Sequence, residues 1–172
     1  VNSLSKHRQI VYAFIDSQNL NLGVRSLGWK LDFKKFRVYL ADKFRVSQVF
    51  LFLGFIEKYS SLYSKLKSFG YTLIFKPTIN VPEGKTKGNV DAELVLHASA
   101  VEYSNYDKVI VVSGDGDFYC LYQYLKSHKK LLAIIIPNSK SESSLLKSFY
   151  RYKVYLDFER RRLVNKSGGR RS

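Results

Sequence analysis

The chain has 172 residues, 45% apolar and 15% aromatic, with 29 Lys and Arg against 14 Asp and Glu for a formal charge of +15. That length suits one domain with a substantial core, and the composition excludes a disordered chain, which lacks the apolar surface to offset its ordering entropy. One cysteine excludes an intramolecular disulfide scaffold and a Cys-based zinc finger. No apolar run approaches the roughly 18 residues that span a bilayer. The opening stretch 1–8 is polar and basic rather than signal-like, so a soluble, cytoplasmic protein without a membrane partner is expected. The cationic excess favours a polyanionic partner.

Residues 1–8 are expected to form a flexible N-terminus, 9–157 a single domain, and 158–172 a basic C-terminal helix and tail. Apolar runs of strand length alternate with stretches of helical period, the pattern of a parallel sheet with crossover helices. The first run is Ile10 to Ile15. Asp32 then caps a predicted helix to Phe44, with Phe33, Phe36, Leu40 and Phe44 at helical spacing. Val49 to Leu53 reads as a strand, Ser60 to Phe69 as a helix ended by Gly70, and Thr72 to Phe75 as a strand. Pro77 to Gly88 reads as a mobile basic loop carrying Lys85 and Lys87. A helix from a cap at Asn89 to Ser104 is predicted to bury Val90, Leu94, Ala98 and Val101. Val109 to Val112 and Leu131 to Ile136 are strands, and Asp117 to Ser127 and Ser141 to Phe149 are helices. Because the strands are continuously apolar, helices are expected on both faces of the sheet.

In so basic a chain the few carboxylates are the informative residues. Asp16 directly follows the first strand, and Asp115 and Asp117 follow the fourth. All three then lie at carboxyl ends of strands, the edge at which open parallel sheets bind ligands, above all at the switch point. Asp91, in the first turn of the helix feeding the fourth strand, is placed to face the same crevice. Carboxylates about 4 Å apart repel by roughly 4 kcal/mol at an effective dielectric near 20, so a cluster needs protonation or a cation. Hard oxygen ligands point to Mg²⁺ or Mn²⁺. Plainer readings stand beside this one: Asp117 as a helix cap, Gly114 and Gly116 as tight-turn residues, and Asp91 as an acid favoured by a helix dipole. Asp16 is harder to dismiss, because a carboxylate ending a buried strand is costly without a partner.

Three segments, Phe14-Ile15-Asp16-Ser17-Gln18-Asn19-Leu20, Lys87-Gly88-Asn89-Val90-Asp91-Ala92-Glu93-Leu94 and Val111-Val112-Ser113-Gly114-Asp115-Gly116-Asp117-Phe118, carry a family resemblance. From Gln9 to Leu156 the chain resembles the NYN domain, in its LabA-like branch, part of the PIN-like nuclease superfamily. The resemblance implies a three-layer, Rossmann-like α/β sandwich with a mostly parallel sheet of five or six strands flanked by helices. It implies metal-dependent cleavage of RNA, with Asp16, Asp91, Asp115 and Asp117 as the acidic site and Mg²⁺ or Mn²⁺ as cofactor. Asn19 matches the family asparagine that orients a ligand or water, with a helix cap as its other reading. Many relatives carry a second acid in the Asp91 helix where this chain has His97. Six residues on, His97 is turned by about 240° and advanced by about 9 Å, so a structural pairing with Glu93 is expected.

The leading expectation is a metal-dependent ribonuclease acting on single-stranded RNA. Lys85, Lys87, Ser113 and the arginines Arg160, Arg161 and Arg162 are the expected RNA contacts, and Tyr59, Tyr63, Tyr119 and Tyr122 are candidate stacking platforms. A homodimer is admitted as the assembly. The rival is a catalytically inactive RNA-binding module on the same basic surface. A hydrolase of small phosphates would use the acids but leave the basic excess unexplained.

Overall fold

A computed structural model of the chain describes residues 8–76 and 90–166, Val90 by its backbone alone. Lys85, Lys87, the proposed cap Asn89 and the end of the tail lie outside the described residues. Six strands form one all-parallel sheet: β1 (Val11–Asp16), β2 (Val46–Gly54), β3 (Thr72–Lys76), β4 (Lys108–Val112), β5 (Leu131–Ile136) and β6 (Lys153–Tyr155), in the order β3-β2-β1-β4-β5-β6. This is a three-layer α/β fold, as expected. β6 was not among the five apolar runs, because at three half-exposed residues it is too short for a pattern to show.

Period-2 alternation along the buried strands separates two cores. On one face Ala13, Ile15, Val49, Leu51, Ile110 and Val112 meet helices α1 (Ser17–Ser26), α2 (Phe33–Phe44) and α3 (Ser60–Ser68). On the other, Phe14, Phe50, Phe52, Val109 and Val111 meet α4 (Val90–Leu96) and α5 (Tyr119–Ser127). Phe14 stacks on Phe50 with ring centres 5.1 Å apart. Asp32 caps α2 through Lys35 N–H at 3.1 Å, and Gly70 closes α3 at φ +90°, where a Cβ would be strained.

Two local expectations are corrected. The Asp91 helix opens at its end into a π turn over His97–Val101, with Glu102 N–H donating to His97 C=O at 2.9 Å. A π turn is wider than an α turn, so a residue three positions beyond Ala98 no longer returns to the buried face, and Val101 is 51% exposed. Ser141 to Phe149 does not form an α-helix. It is 3₁₀ structure over Ser139–Ser141 and Ser144–Tyr152, broken at Phe149. Its serines bond locally, Ser143 Oγ accepting from Leu145 N–H at 3.3 Å, which competes with helical bonding. The basic segment after Phe158 includes α6 (Arg160–Leu163), which docks through buried Leu163 and a Leu31–Val164 bridge.

Candidate active site

The switch point of the sheet lies between β1 and β4. From β1 the chain leaves to the α1 face, and from β4 to the α5 face, so the carboxyl ends of these neighbours bound a crevice. Their register pairs Ile15 with Val112, which brings Asp16 and Ser113 out of the sheet side by side.

Asp16 continues the Phe14 side of β1 and is 5% exposed. Its carboxylate caps α1, accepting from Asn19 N–H at 3.1 Å. Burial, reinforced by the charges of Asp91 and Asp115, nevertheless pushes its pKa up to about 6. Asn19 does not cap α1, which begins at Ser17. Inside the first turn its Oδ1 accepts from Gly114 N–H at 3.0 Å, tying the end of β1 to the turn after β4. Asp115 caps the following 3₁₀ turn, Gly116–Phe118, by accepting from Asp117 N–H at 3.0 Å. Gly116 is needed there for close approach: a Cβ would stand 2.3 Å from Ser143 Oγ.

Asp91 projects from the first turn of α4 across the crevice. Its pKa is raised by burial and then by the charges of Asp115 and Asp117, and Lys76 at the end of β3 opposes the shift. Asp91 and Asp117 line one open crevice of about 580 Å³ with Ala92, Val95, Leu96 and Ser99. The four sequence-selected acids therefore share one electrostatic neighbourhood. Their donors are hard oxygens with no thiolate among them, which suits Mg²⁺ or Mn²⁺. Among the described residues, however, no three or more His, Cys, Asp or Glu side chains converge as a ready metal cage.

Other candidates fall elsewhere. Ser113 is fully buried, and its Oγ accepts from Asp115 N–H at 3.2 Å, so it shapes the turn rather than facing a phosphate. Tyr122 is also fully buried, too deep to stack a base, and its hydroxyl donates to Ser113 C=O at 3.2 Å. Burial and the charges of Asp16 and Asp115 raise the Tyr122 pKa, which keeps it a neutral donor beneath the site. The sequence signal for that role is its place one turn beyond Asp117 on the inward side of α5. Tyr63 is buried as well, whereas Tyr59 is 42% exposed.

Arg160, Arg161 and Arg162 are not brought to the acidic crevice. Leu163 anchors α6 against α2 on the opposite face of the sheet, where Arg162 lies 5.5 Å from the Tyr39 ring centre and 3.6 Å from Glu159. His97 does not pair with Glu93. Its ring packs against Phe52 at 5.4 Å, and its buried Nδ1 has no hydrogen-bond partner. The π turn that begins at His97 places the imidazole over the aromatic core instead.

The NYN domain family matches residues 11–156, and the chain belongs to it. That family is part of the PIN-like nuclease superfamily. The chain is similar to the crystal structure of a protein of unknown function, VPA0982, from Vibrio parahaemolyticus, with a TM-score of 0.74 at 24% identity over 93% of this chain and 99% of that one. At that identity the likeness establishes the fold. No curated protein matches the chain. Among the described residues no helix is long and apolar enough to cross a membrane.

Proposed function

We propose that the protein is a metal-dependent ribonuclease whose centre is the Asp16, Asp91, Asp115 and Asp117 cluster. The observation that carries this reading is the mutual electrostatic contact of these acids, drawn from three distant segments, at the switch point of a strongly basic NYN domain. Burial raises the pKa of Asp16 and Asp91 and the neighbouring acids add to the shift, and a divalent cation held among the four would offset that cost. When bound, Mg²⁺ or Mn²⁺ supplies Lewis-acid stabilisation of phosphoryl charge and a more acidic water. The chain's own groups do the positioning. Asp16 is fixed by the start of α1, Asp115 by the turn it caps, and Asn19 holds the two at constant separation through Gly114 N–H. Asp91 and Asp117 form the open side, where an RNA phosphate enters between them.

The test is cleavage of a labelled single-stranded RNA with Mn²⁺ by the parent and by Asp115→Asn. The parent cleaves, chelation by EDTA stops it, and the variant loses at least about a hundredfold in rate. RNA that stays intact with the parent, or a variant as fast as the parent, overturns the proposal. Binding without cleavage would make the protein the inactive RNA-binding module instead.

A further inference from the structure

A second concavity opens at the same edge of the sheet, on the side away from Asp91. It is a groove of about 730 Å³ between α1, α2 and α3, floored by Leu53 and Gly54 at the end of β2. It begins at Ser17, the residue after Asp16. Arg25, Lys30, Lys34 and Lys65 stand along it, all exposed. Among the described residues none of these four side chains has a carboxylate partner, whereas Lys35, Lys43, Lys153 and Arg162 each do. The one acid in the lining, Asp32, is occupied as the cap of α2.

The α3 side is apolar except for Lys65. Ile56, Tyr59 and Leu62 are each between 41% and 45% exposed, and Tyr59 is the one sequence-selected stacking tyrosine that presents so much of its ring. Its ring also carries Lys58 Nζ 5.1 Å from its centre. Unpaired Arg25, Lys30 and Lys34 on the α1–α2 side, facing Tyr59 and Leu62 on the α3 side with Lys65 at its edge, match a single strand, whose phosphates and bases lie on opposite sides. A duplex hides its bases and leaves such an apolar wall uncovered.

We propose that this groove is the binding track for a single-stranded RNA, which crosses the β1–α1 corner at Ser17 to reach the acidic crevice. Arg25, Lys30, Lys34 and Lys65 take its phosphates, and Tyr59 stacks a base. The identification of the strand as substrate rests on the nuclease reading, but the track itself does not. Lys34 also lines a neighbouring hollow with Lys35, Asp42 and Arg162, beside the C-terminal arginines that the acidic crevice does not reach.

The experiment measures binding of a fluorescein-labelled ten-nucleotide oligo(U) by anisotropy, in EDTA so that it stays intact, across 50–200 mM NaCl. The full chain is compared with Lys30→Glu/Lys34→Glu/Lys65→Glu and with a control of equal charge change on the α5 face, Lys126→Glu/Lys129→Glu/Lys147→Glu. Three lost phosphate contacts lower the slope of log K against log salt by about 2 and weaken binding at least about tenfold, and the control stays within about threefold of the parent. Tyr59→Ala, which leaves charge unchanged, weakens binding about fivefold or more with the slope preserved. Equal losses in both triple variants, an unaffected groove variant, or duplex RNA binding as tightly as oligo(U) would each overturn the track. Circular dichroism melts confirm that the variants remain folded. A parent that binds in the groove yet cleaves nothing with Mn²⁺ refutes the nuclease and leaves the track standing. A cleaving parent whose groove variant binds unchanged does the reverse.

Discussion

Asp16 carries an electrostatic cost that can be measured by removing it. Burial lifts its pKa from an ordinary 3.8 to about 6, with Asp91 from α4 and Asp115 from the β4 turn adding to the shift. A shift of about two units corresponds to about 3 kcal/mol, an upper figure since part of it relaxes on charging. The sign follows from linkage. The unfolded chain loses this proton near pH 4 and the folded chain near pH 6, so folding stability falls as pH rises between them and stays lower above. Asn at this position keeps an oxygen that can accept from Asn19 N–H, and Asn caps helices as well as Asp does. Asp16→Asn is therefore expected to be more stable by about 2 kcal/mol at pH 7.5, a rise in Tm of about 4–8 °C for a chain of this size. The gain should shrink towards zero at pH 4.5. Thermal melts followed by circular dichroism at the two pH values make the measurement, and urea titration provides an independent free energy. Adding Mn²⁺ should raise the Tm of the parent more than that of the variant, and the variant should not cleave RNA. A variant less stable than the parent at pH 7.5, or equally displaced at both pH values, would refute the reasoning that a buried, repelled carboxylate sits here.

Asn19→Ala removes the acceptor for the buried Gly114 N–H and should cost about 1–3 kcal/mol by urea denaturation, with RNA cleavage slowed because the two halves of the crevice lose their tie. Gly116→Ala drives a methyl into Ser143 Oγ and Leu145 Cδ1; about 1–3 kcal/mol of lost stability is expected, and Ser143→Gly in the same chain should recover part of it. Lys153 and Glu142 form an ion pair that is nearly closed to solvent, with Tyr155 Oη–H donating to Glu142 at 2.8 Å. Lys153→Met leaves Glu142 without its cation and should lower stability by about 3 kcal/mol at neutral pH, read in the same titration.

The parts legible in the sequence were those with one dominant cause. The runs behind β1, β2, β4 and β5 are apolar without interruption because both faces are covered, and Asp32 announces α2 because a carboxylate at a helix start satisfies free N–H groups. The acids at strand ends were legible for the same kind of reason, since a parallel sheet sends all carboxyl ends to one edge. What was not legible depends on two causes acting together. Ser113 reads as a polar residue at a binding edge, but the adjacent Tyr122 covers it and Asp115 takes its hydroxyl. Val101 fits an α-helical face that the π turn at His97 rotates away. The arginines of α6 read in the sequence as a charge for binding a polyanion, but Leu163, a single apolar residue beside them, decides which face of the sheet they occupy.

The pairing of Ile15 with Val112 also has a kinetic side. β1 is made well before its partner β4, which arrives only after β2 and β3 have been made. Contacts so distant along the chain are slow to form, because loop closure precedes the burial that rewards it. During synthesis, Asp16 therefore emerges long before Asp115 exists to face it, while Arg25, Lys30 and Lys34 emerge with β1 and α2. A nascent chain therefore carries all four groove cations before its acidic cluster is complete, so under the proposed function binding of RNA precedes its cleavage.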